Sequence, residues 1–141
     1  MASDNQALPA PRPAADTPGL ILLAHGARDP AWAAPFERVA AQVRAQRPGW
    51  RVSLAYLEFM TPDLLTAGTL LAAQGCTRVT VLPLFLGVGG HVRRDVPALL
   101  AQLHTDHPGV RWQLAPAIGD DPRLLQALVS IALGAVPPQP G

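Results

Sequence analysis

Short apolar runs alternate along the chain with longer stretches in which apolar residues recur every three or four positions. The runs at 19–24 and 79–82 are continuous enough to predict strands buried in the sheet, as in parallel sheets, and 51–57 and 110–117 are predicted to be two further strands. The stretches between them have helical spacing, as the set Phe36, Val39, Ala40 and Val43 illustrates. The alternation therefore predicts four βα units, with parallel strands and right-handed crossovers.

Several residues indicate where the predicted helices begin and end. Thr61, Pro62 and Asp63 are typical of a helix start, with Thr61 as the N-cap, and Asp121 before Pro122 predicts the start of the last helix. Pro83 would remove a ladder hydrogen bond, so we expect regular pairing of the third strand to end near Leu82. For a chain of this size we expect an α/β flavodoxin-like three-layer sandwich whose parallel four-stranded sheet has the order 2-1-3-4.

Composition fits one globular domain. The chain has 141 residues, of which 49% are hydrophobic and 15% charged, which is enough apolar material for a core. Residues 1–18 and 135–141 are rich in proline and lack periodicity, so we expect a disordered N-terminal lead, a folded domain at 19–134 and a disordered tail.

Charge and cysteine content restrict the class of protein further. The net charge of +1 and the lack of a dense basic run argue against a nucleic-acid or anionic membrane surface. The single cysteine, Cys76, excludes an internal disulfide, fits a reducing compartment, and is most simply a small buried residue near a helix end. No secretion signal or membrane-spanning run is evident, so we expect a cytoplasmic protein.

The candidate chemistry lies where three predicted strands end. His25 follows the first strand, Glu58 follows the second, and a glycine-rich loop after the third leads to His91, just before a helix. With the order 2-1-3-4, strands one and three meet at the switch point of the sheet, where ligands bind in open α/β folds. Two imidazoles and a carboxylate suit Co²⁺, Fe²⁺, Ni²⁺ or Zn²⁺, and imidazole can also accept protons near neutral pH.

Simpler interpretations stay open for each of these residues. Either histidine could be a loop residue bonded to backbone, and Glu58 could be a solvated or capping residue. Three arginines flank the same edge and could clamp carboxylates or be ordinary exposed charges: Arg28, Arg93 and Arg94. The segment 87–90 could cradle a phosphate, although it matches neither common phosphate-binding motif. His104 and His107 could hold a metal, but a surface position near a helix end is the simpler interpretation.

Together these segments resemble the sirohydrochlorin chelatase family of the short CbiX/SirB type. The resemblance covers about residues 19–133 and rests on three sets of motifs: Leu22-Leu23-Ala24-His25-Gly26-Ala27-Arg28-Asp29-Pro30; Tyr56-Leu57-Glu58; and Leu82-Pro83-Leu84-Phe85-Leu86 with Gly90-His91-Val92, Asp95, Val96 and Pro97. The family usually has serine where this chain has Ala27, which puts the efficiency of the site in doubt more than the assignment, because a hydrogen bond to His25 is lost.

The resemblance implies a single chelatase half-domain that pairs as a homodimer. It implies a lyase that inserts Co²⁺ or Fe²⁺ into sirohydrochlorin for cobalamin or sirohaem, with Ni²⁺ used by some archaeal members and no further cofactor. His25 and His91 match the metal and catalytic positions of the family, and Glu58 could share the base or ligand role.

The carboxylate-rich substrate would be held by Arg28, Arg93, Arg94 and the helix start at Gly89 and Gly90. The alternative is a non-catalytic carrier of metal or tetrapyrrole with the same fold.

Overall fold

The computed structural model describes residues 16–140. Residues 1–15 and 141 lie outside the described part, and most of the expected disordered lead lies there with them. The strands are β1 (Pro18–Ala24), β2 (Arg51–Tyr56), β3 (Arg78–Pro83) and β4 (Arg111–Leu114). The helices are α1 (Ala34–Gln46), α2 (Leu64–Ala73), α3 (Gly90–Asp106) and α4 (Pro122–Ala135), with 3₁₀ turns at Pro30–Ala33 and Ile118–Asp120.

The four strands form one parallel sheet in the order β2-β1-β3-β4. The predicted topology is therefore confirmed. β1 and β3 are the central pair, and their register places Ile21 beside Val81 and Leu23 beside Pro83. Because both strands have a neighbouring strand on each side and contribute side chains to the core, they are mostly apolar, as the continuous hydrophobic runs indicated.

The two faces of the sheet are covered unequally. The larger core lies under α2 and α3 and includes Ile21, Leu23, Val79 and Val81, together with Leu103 of α3. On the other face α1 packs over β1 and β2, where a smaller cluster forms around Ala24 and Tyr56. This asymmetry follows from right-handed crossovers, since the chain moves one way after β1 and the other way after β2 and β3.

Helix α2 begins two residues later than expected. Asp63, not Thr61, is the N-cap, and its carboxylate accepts a 2.8 Å hydrogen bond from the backbone N–H of Thr66. Aspartate can satisfy a free N–H of the first turn and also faces the positive end of the helix dipole. Gly75 ends this helix region with a φ of +89°, as the sequence indicated.

Three other boundaries also differ from expectation. Pro83 belongs to β3, and its missing N–H costs little because the adjacent β4 pairs only as far as Val81 with Leu114. β4 is accordingly shorter than the run 110–117. His91 lies inside the first turn of α3, whose N-cap is Gly89, instead of preceding the helix.

The cap of α2 gives a prediction about stability. Asp63→Ala should lower the free energy of unfolding by about 1 kcal/mol, because it leaves an N–H of the first turn without a partner. Hydrogen bonding to Thr66 lowers the pKa of Asp63 in the folded protein. The ionised carboxylate therefore stabilises the fold above about pH 4, and this stabilisation is lost as the pH falls through the folded-state pKa. Asp63→Asn, which keeps the cap without the charge, is the matched control in urea unfolding at several pH values. Equal stability of wild type and Asp63→Ala at pH 7 would contradict this role.

Candidate functional site

The loops after β1, β2 and β3 meet at the carboxyl edge of the sheet. The Glu58 N–H donates to the His25 carbonyl at 3.0 Å, which joins the loops after β1 and β2. The His25 ring lies 4.4 Å from the Phe85 ring, centroid to centroid, which joins the loops after β1 and β3. His25 thus contacts both of the other loops at the edge of the sheet where ligands bind in open α/β folds.

Gly26 makes the closest of these contacts possible. Its φ is +90°, and a Cβ at this position would overlap the carbonyl oxygen of Glu58. Both the left-handed conformation and the close approach favour glycine. The backbone after His25 is therefore held against the Glu58 backbone, which fixes where the His25 side chain leaves the sheet.

His25 and His91 are both exposed at this edge, and each belongs to a different element. His25 is the residue directly after β1, whereas His91 is the second residue of α3. The Nε2 atom of His91 lies 2.9 Å from a carboxylate oxygen of Asp95, one helical turn further along. Since an ionised carboxylate only accepts hydrogen bonds, Nε2 is the donor in this contact, and in the neutral ring Nδ1 has the lone pair that can meet a metal or a proton.

Glu58 contributes its backbone to the site more clearly than its carboxylate. Its side chain is exposed, and within residues 16–140 no three His, Cys, Asp or Glu side chains come together in a way that could hold a metal ion. Hence His25, Glu58 and His91 do not form a preassembled three-ligand set in this conformation.

Arg28 is partnered by a residue that the sequence did not single out. Its guanidinium carbon lies 5.0 Å from the ring centroid of Phe59, in the loop after β2. Phe59 is 58% exposed and has a φ of +65°, a left-handed conformation that is unusual for an aromatic residue. An exposed aromatic ring held this way beside a cation gives the edge both an apolar surface and a positive charge.

A cleft of about 400 Å³ adjoins the histidines on the α3 side. Phe85 lines it and also contacts His25, Leu86 adds apolar surface, and Arg93 and Asp120 are its charged residues. Neither histidine lines the cleft itself, which is connected to His25 through Phe85. Arg94 is exposed and its Nε donates to the Gly90 carbonyl at 3.4 Å, while Gly89 and Gly90 form the open start of α3.

The remaining candidates lie elsewhere. His104 is exposed at the far end of α3, and His107 Nε2 is 3.1 Å from the Thr69 hydroxyl. These positions agree with the simpler surface interpretation. Cys76 is buried, as expected, and burial raises the pKa of its thiol, so it is a poor nucleophile or ligand.

Three residues at this edge were not predicted from the sequence: Asp95, Phe59 and Phe85. Asp95 stands four residues after His91, the spacing at which helical side chains meet, yet this spacing matters only once His91 is placed inside the helix. Phe59 follows Glu58 directly, but nothing in the local pattern predicts its left-handed backbone. Phe85 belongs to one of the family motifs, and nothing in that motif predicts its contact with His25.

The fold and this edge define a class of protein: a small open α/β domain with two exposed histidines at the switch point of its parallel sheet. The model of the CbiX family matches residues 19–132. The chain therefore belongs to the CbiX family, as the sequence resemblance indicated.

Characterised relatives are similar over most of the chain. It is 30% identical over 118 residues to the sirohydrochlorin cobaltochelatase of Saccharolobus solfataricus, a match that covers 79% of this chain and 90% of the relative. Among solved structures, a CbiX protein of Marinobacter aquaeolei VT8 is 37% identical with a TM-score of 0.73, covering 84% of this chain and 96% of that chain.

Bacillus subtilis SirB with Fe³⁺ has the same fold, with a TM-score of 0.73 at 21% identity, and the match covers 86% of this chain but only 48% of SirB. A single copy of the present chain thus corresponds to half of that protein. Within residues 16–140 none of the helices is long and apolar enough to cross a bilayer.

Proposed function

We propose that this chain is a sirohydrochlorin chelatase that inserts Co²⁺ or Fe²⁺ into the macrocycle. The observation that carries the proposal is the placement of His25 and His91 after adjacent central strands of a CbiX-family fold. Its relatives named as sirohydrochlorin cobaltochelatases favour cobalt as the first metal to test. Both cobalamin and sirohaem synthesis would consume such a product.

The proposed reaction exchanges one M²⁺ for two protons. The macrocycle loses the protons of two pyrrole N–H groups as four nitrogens bind the metal, so the step needs a base but no oxidant or reductant. His25 and His91 have two possible tasks: holding the incoming metal, or accepting the departing protons. In the tautomer that Asp95 imposes on His91, Nδ1 is the atom available for either task.

Glu58 is proposed as an auxiliary base. Its side chain is exposed, and its backbone N–H donates to the His25 carbonyl, so the two residues are neighbours at the same edge of the sheet.

Substrate binding is assigned to the cations and apolar side chains around the histidines. Arg28, Arg93 and Arg94 supply guanidinium groups that bind peripheral carboxylates bidentately, and the α3 start at Gly89 and Gly90 adds its positive dipole end. Phe59 and Leu86, both more than half exposed, offer apolar surface for the flat macrocycle. No further cofactor is assigned.

One copy offers one wall, so we propose that two copies enclose the substrate. The cleft beside Phe85 is open, and binding sites for molecules of this size normally bury most of the ligand. We also place the reaction in the cytoplasm, consistent with a reduced buried thiol at Cys76.

Metal insertion by the purified protein tests the proposal. We expect Co²⁺-dependent and Fe²⁺-dependent conversion of sirohydrochlorin, followed by its absorption change, well above the rate without protein. The carrier alternative predicts tight tetrapyrrole or metal binding with no rate above background, because a carrier must hold what a chelatase must release. Binding without turnover would therefore overturn the proposal and favour the carrier.

A further inference from the structure

Phe59 is the central residue of a strained turn in the loop after β2. The Met60 N–H donates to the Glu58 carbonyl at 2.8 Å, and Phe59 between them has a φ of +65°. A hydrogen bond between residues two apart around a positive φ is the rare and strained form of the γ-turn. Glycine or asparagine would adopt this backbone more readily than a bulky L-residue. The fold therefore maintains at Phe59 a conformation that its own side chain disfavours.

Core packing does not explain why phenylalanine stands at this position. The Phe59 side chain is 58% exposed, and it belongs to neither of the two hydrophobic clusters of the domain. The turn is nevertheless firmly held, because the Glu58 carbonyl at its start lies against Gly26 and the Glu58 N–H donates to the His25 carbonyl. Backbone strain of this kind persists mainly at active sites and ligand clamps. An exposed aromatic ring held by such a turn beside His25 thus indicates a role in binding.

The contact with Arg28 restricts the kind of ligand that the ring would meet. The Arg28 guanidinium carbon is 5.0 Å from the Phe59 ring centroid, which is a cation–π distance. Within residues 16–140 this guanidinium forms no ion pair, although the exposed Glu58 is next to Phe59. Its N–H donors are therefore available to a ligand, and the ring face opposite the cation is available for stacking. A flat conjugated ring with a carboxylate at its edge complements both groups.

We propose that Phe59 stacks on the tetrapyrrole ring and that Arg28 binds a carboxylate at the edge of the same ring. The strained turn then fixes the macrocycle relative to His25, whose carbonyl is bonded to the residue that begins the turn. Phe59 is a positioning residue in this arrangement and takes no part in metal or proton transfer. The proposal rests on the proposed function for its ligand, but binding of the metal-free macrocycle tests it without metal insertion.

Binding of metal-free sirohydrochlorin, followed by its absorption, tests the ring of Phe59. Phe59→Leu keeps an apolar L-residue at the strained position but removes the aromatic face, so the dissociation constant should rise about 10-fold. Phe59→Tyr keeps the ring and should stay within about 2-fold of the wild type. The matched control is Trp50→Leu. Trp50 is 38% exposed and has the Arg47 guanidinium carbon 5.9 Å from its ring, but it precedes β2 at the opposite edge of the sheet, so binding should not change.

The variant Phe59→Asn tests whether the strain is kept for binding. Asparagine tolerates a positive φ and little packing is lost, so the midpoint of urea unfolding should equal or exceed that of the wild type. Binding should still weaken about 10-fold, because the ring is gone. A residue with only a structural role would lose stability and binding together. A lower unfolding midpoint in Phe59→Asn would therefore overturn the proposal.

The carboxylate contact is tested at Arg28. Arg28→Gln should weaken binding, and the difference from the wild type should narrow between about 50 and 500 mM salt, because salt screens an exposed guanidinium–carboxylate pair. Arg51→Gln makes the same substitution at the first residue of β2, at the opposite edge of the sheet, and should leave binding unchanged. Wild-type binding by Arg28→Gln would overturn the part of the proposal that concerns Arg28.

The proposed stacking and the proposed enzyme fail in different ways. Equal binding by the wild type and Phe59→Leu would overturn the stacking and leave the chelatase assignment intact. Normal binding by a wild type that inserts no metal would overturn the assignment and leave the position of Phe59 intact. A wild type that does not bind sirohydrochlorin would overturn both.

Discussion

Replacing either His25 or His91 with alanine is expected to reduce Co²⁺ and Fe²⁺ insertion at least ~100-fold while leaving the fold intact. The loss is large because each imidazole is a metal ligand or proton acceptor in the proposed reaction, and such groups typically contribute 10²- to 10⁴-fold. The fold should persist because both side chains are exposed and contribute little to the core. The measurement is the initial rate of insertion into sirohydrochlorin, with circular dichroism as the folding check.

The double variant sharpens this test. If both imidazoles meet the same metal or proton path, His25→Ala/His91→Ala should be scarcely slower than either single variant. His104→Ala removes an exposed histidine at the far end of α3 and should keep the wild-type rate. Wild-type rates in both single variants would rule out the proposed mechanism, and multiplicative losses in the double variant would show that the two histidines act independently.

The variant Asp95→Asn tests whether Asp95 only positions His91 or takes a direct part in the reaction. The amide can still contact Nε2, but it no longer requires a proton on that nitrogen, so the orientation and tautomer of His91 are less restricted. We expect a smaller loss than in His91→Ala, about 10-fold, with a shifted dependence of the rate on metal concentration. A rate equal to that of His91→Ala would instead give Asp95 a direct part in the chemistry.

Local sequence patterns predicted most of the fold, because runs of apolar residues indicate which segments are buried in the core. The run at 79–82 is mostly apolar because β3 is a central strand that contributes to the core, and the order 2-1-3-4 is the one expected for a small open α/β chain. Asp121 was recognised as the cap of α4 because its carboxylate and Pro122 act locally, and its pKa is lowered to about 2 by hydrogen bonding to Arg123.

What the sequence could not predict depends on contacts between distant segments. The Phe85 ring meets His25 across 60 positions of sequence, and no local pattern carries that information. The position of α4 is a similar case. Its periodicity predicts an apolar face, but the pattern does not say that α4 contacts the turn Ile118–Asp120.

The carboxyl edge of the sheet also depends on Gly26, and replacing this residue is the second change from which we expect a large effect. Gly26→Ala should lower the free energy of unfolding by about 3 kcal/mol and also reduce metal insertion. Part of the cost is the left-handed backbone at φ +90°, worth about 1–2 kcal/mol for an L-residue. The rest arises because the new methyl group would overlap the Glu58 carbonyl, and only a backbone shift can relieve that overlap.

Gly75→Ala is the matched control, because Gly75 has nearly the same φ, +89°, but open space around its Cβ position. It should cost only the conformational part, about 1 kcal/mol, and leave the insertion rate unchanged, since it lies at the far end of α2. Urea unfolding of both variants gives the comparison, with unchanged m-values confirming that stability alone has moved. Equal losses in the two variants would show that the contact between Gly26 and Glu58 does not hold the site together. A larger loss in Gly26→Ala, accompanied by slower insertion, would identify that contact as the one that positions His25.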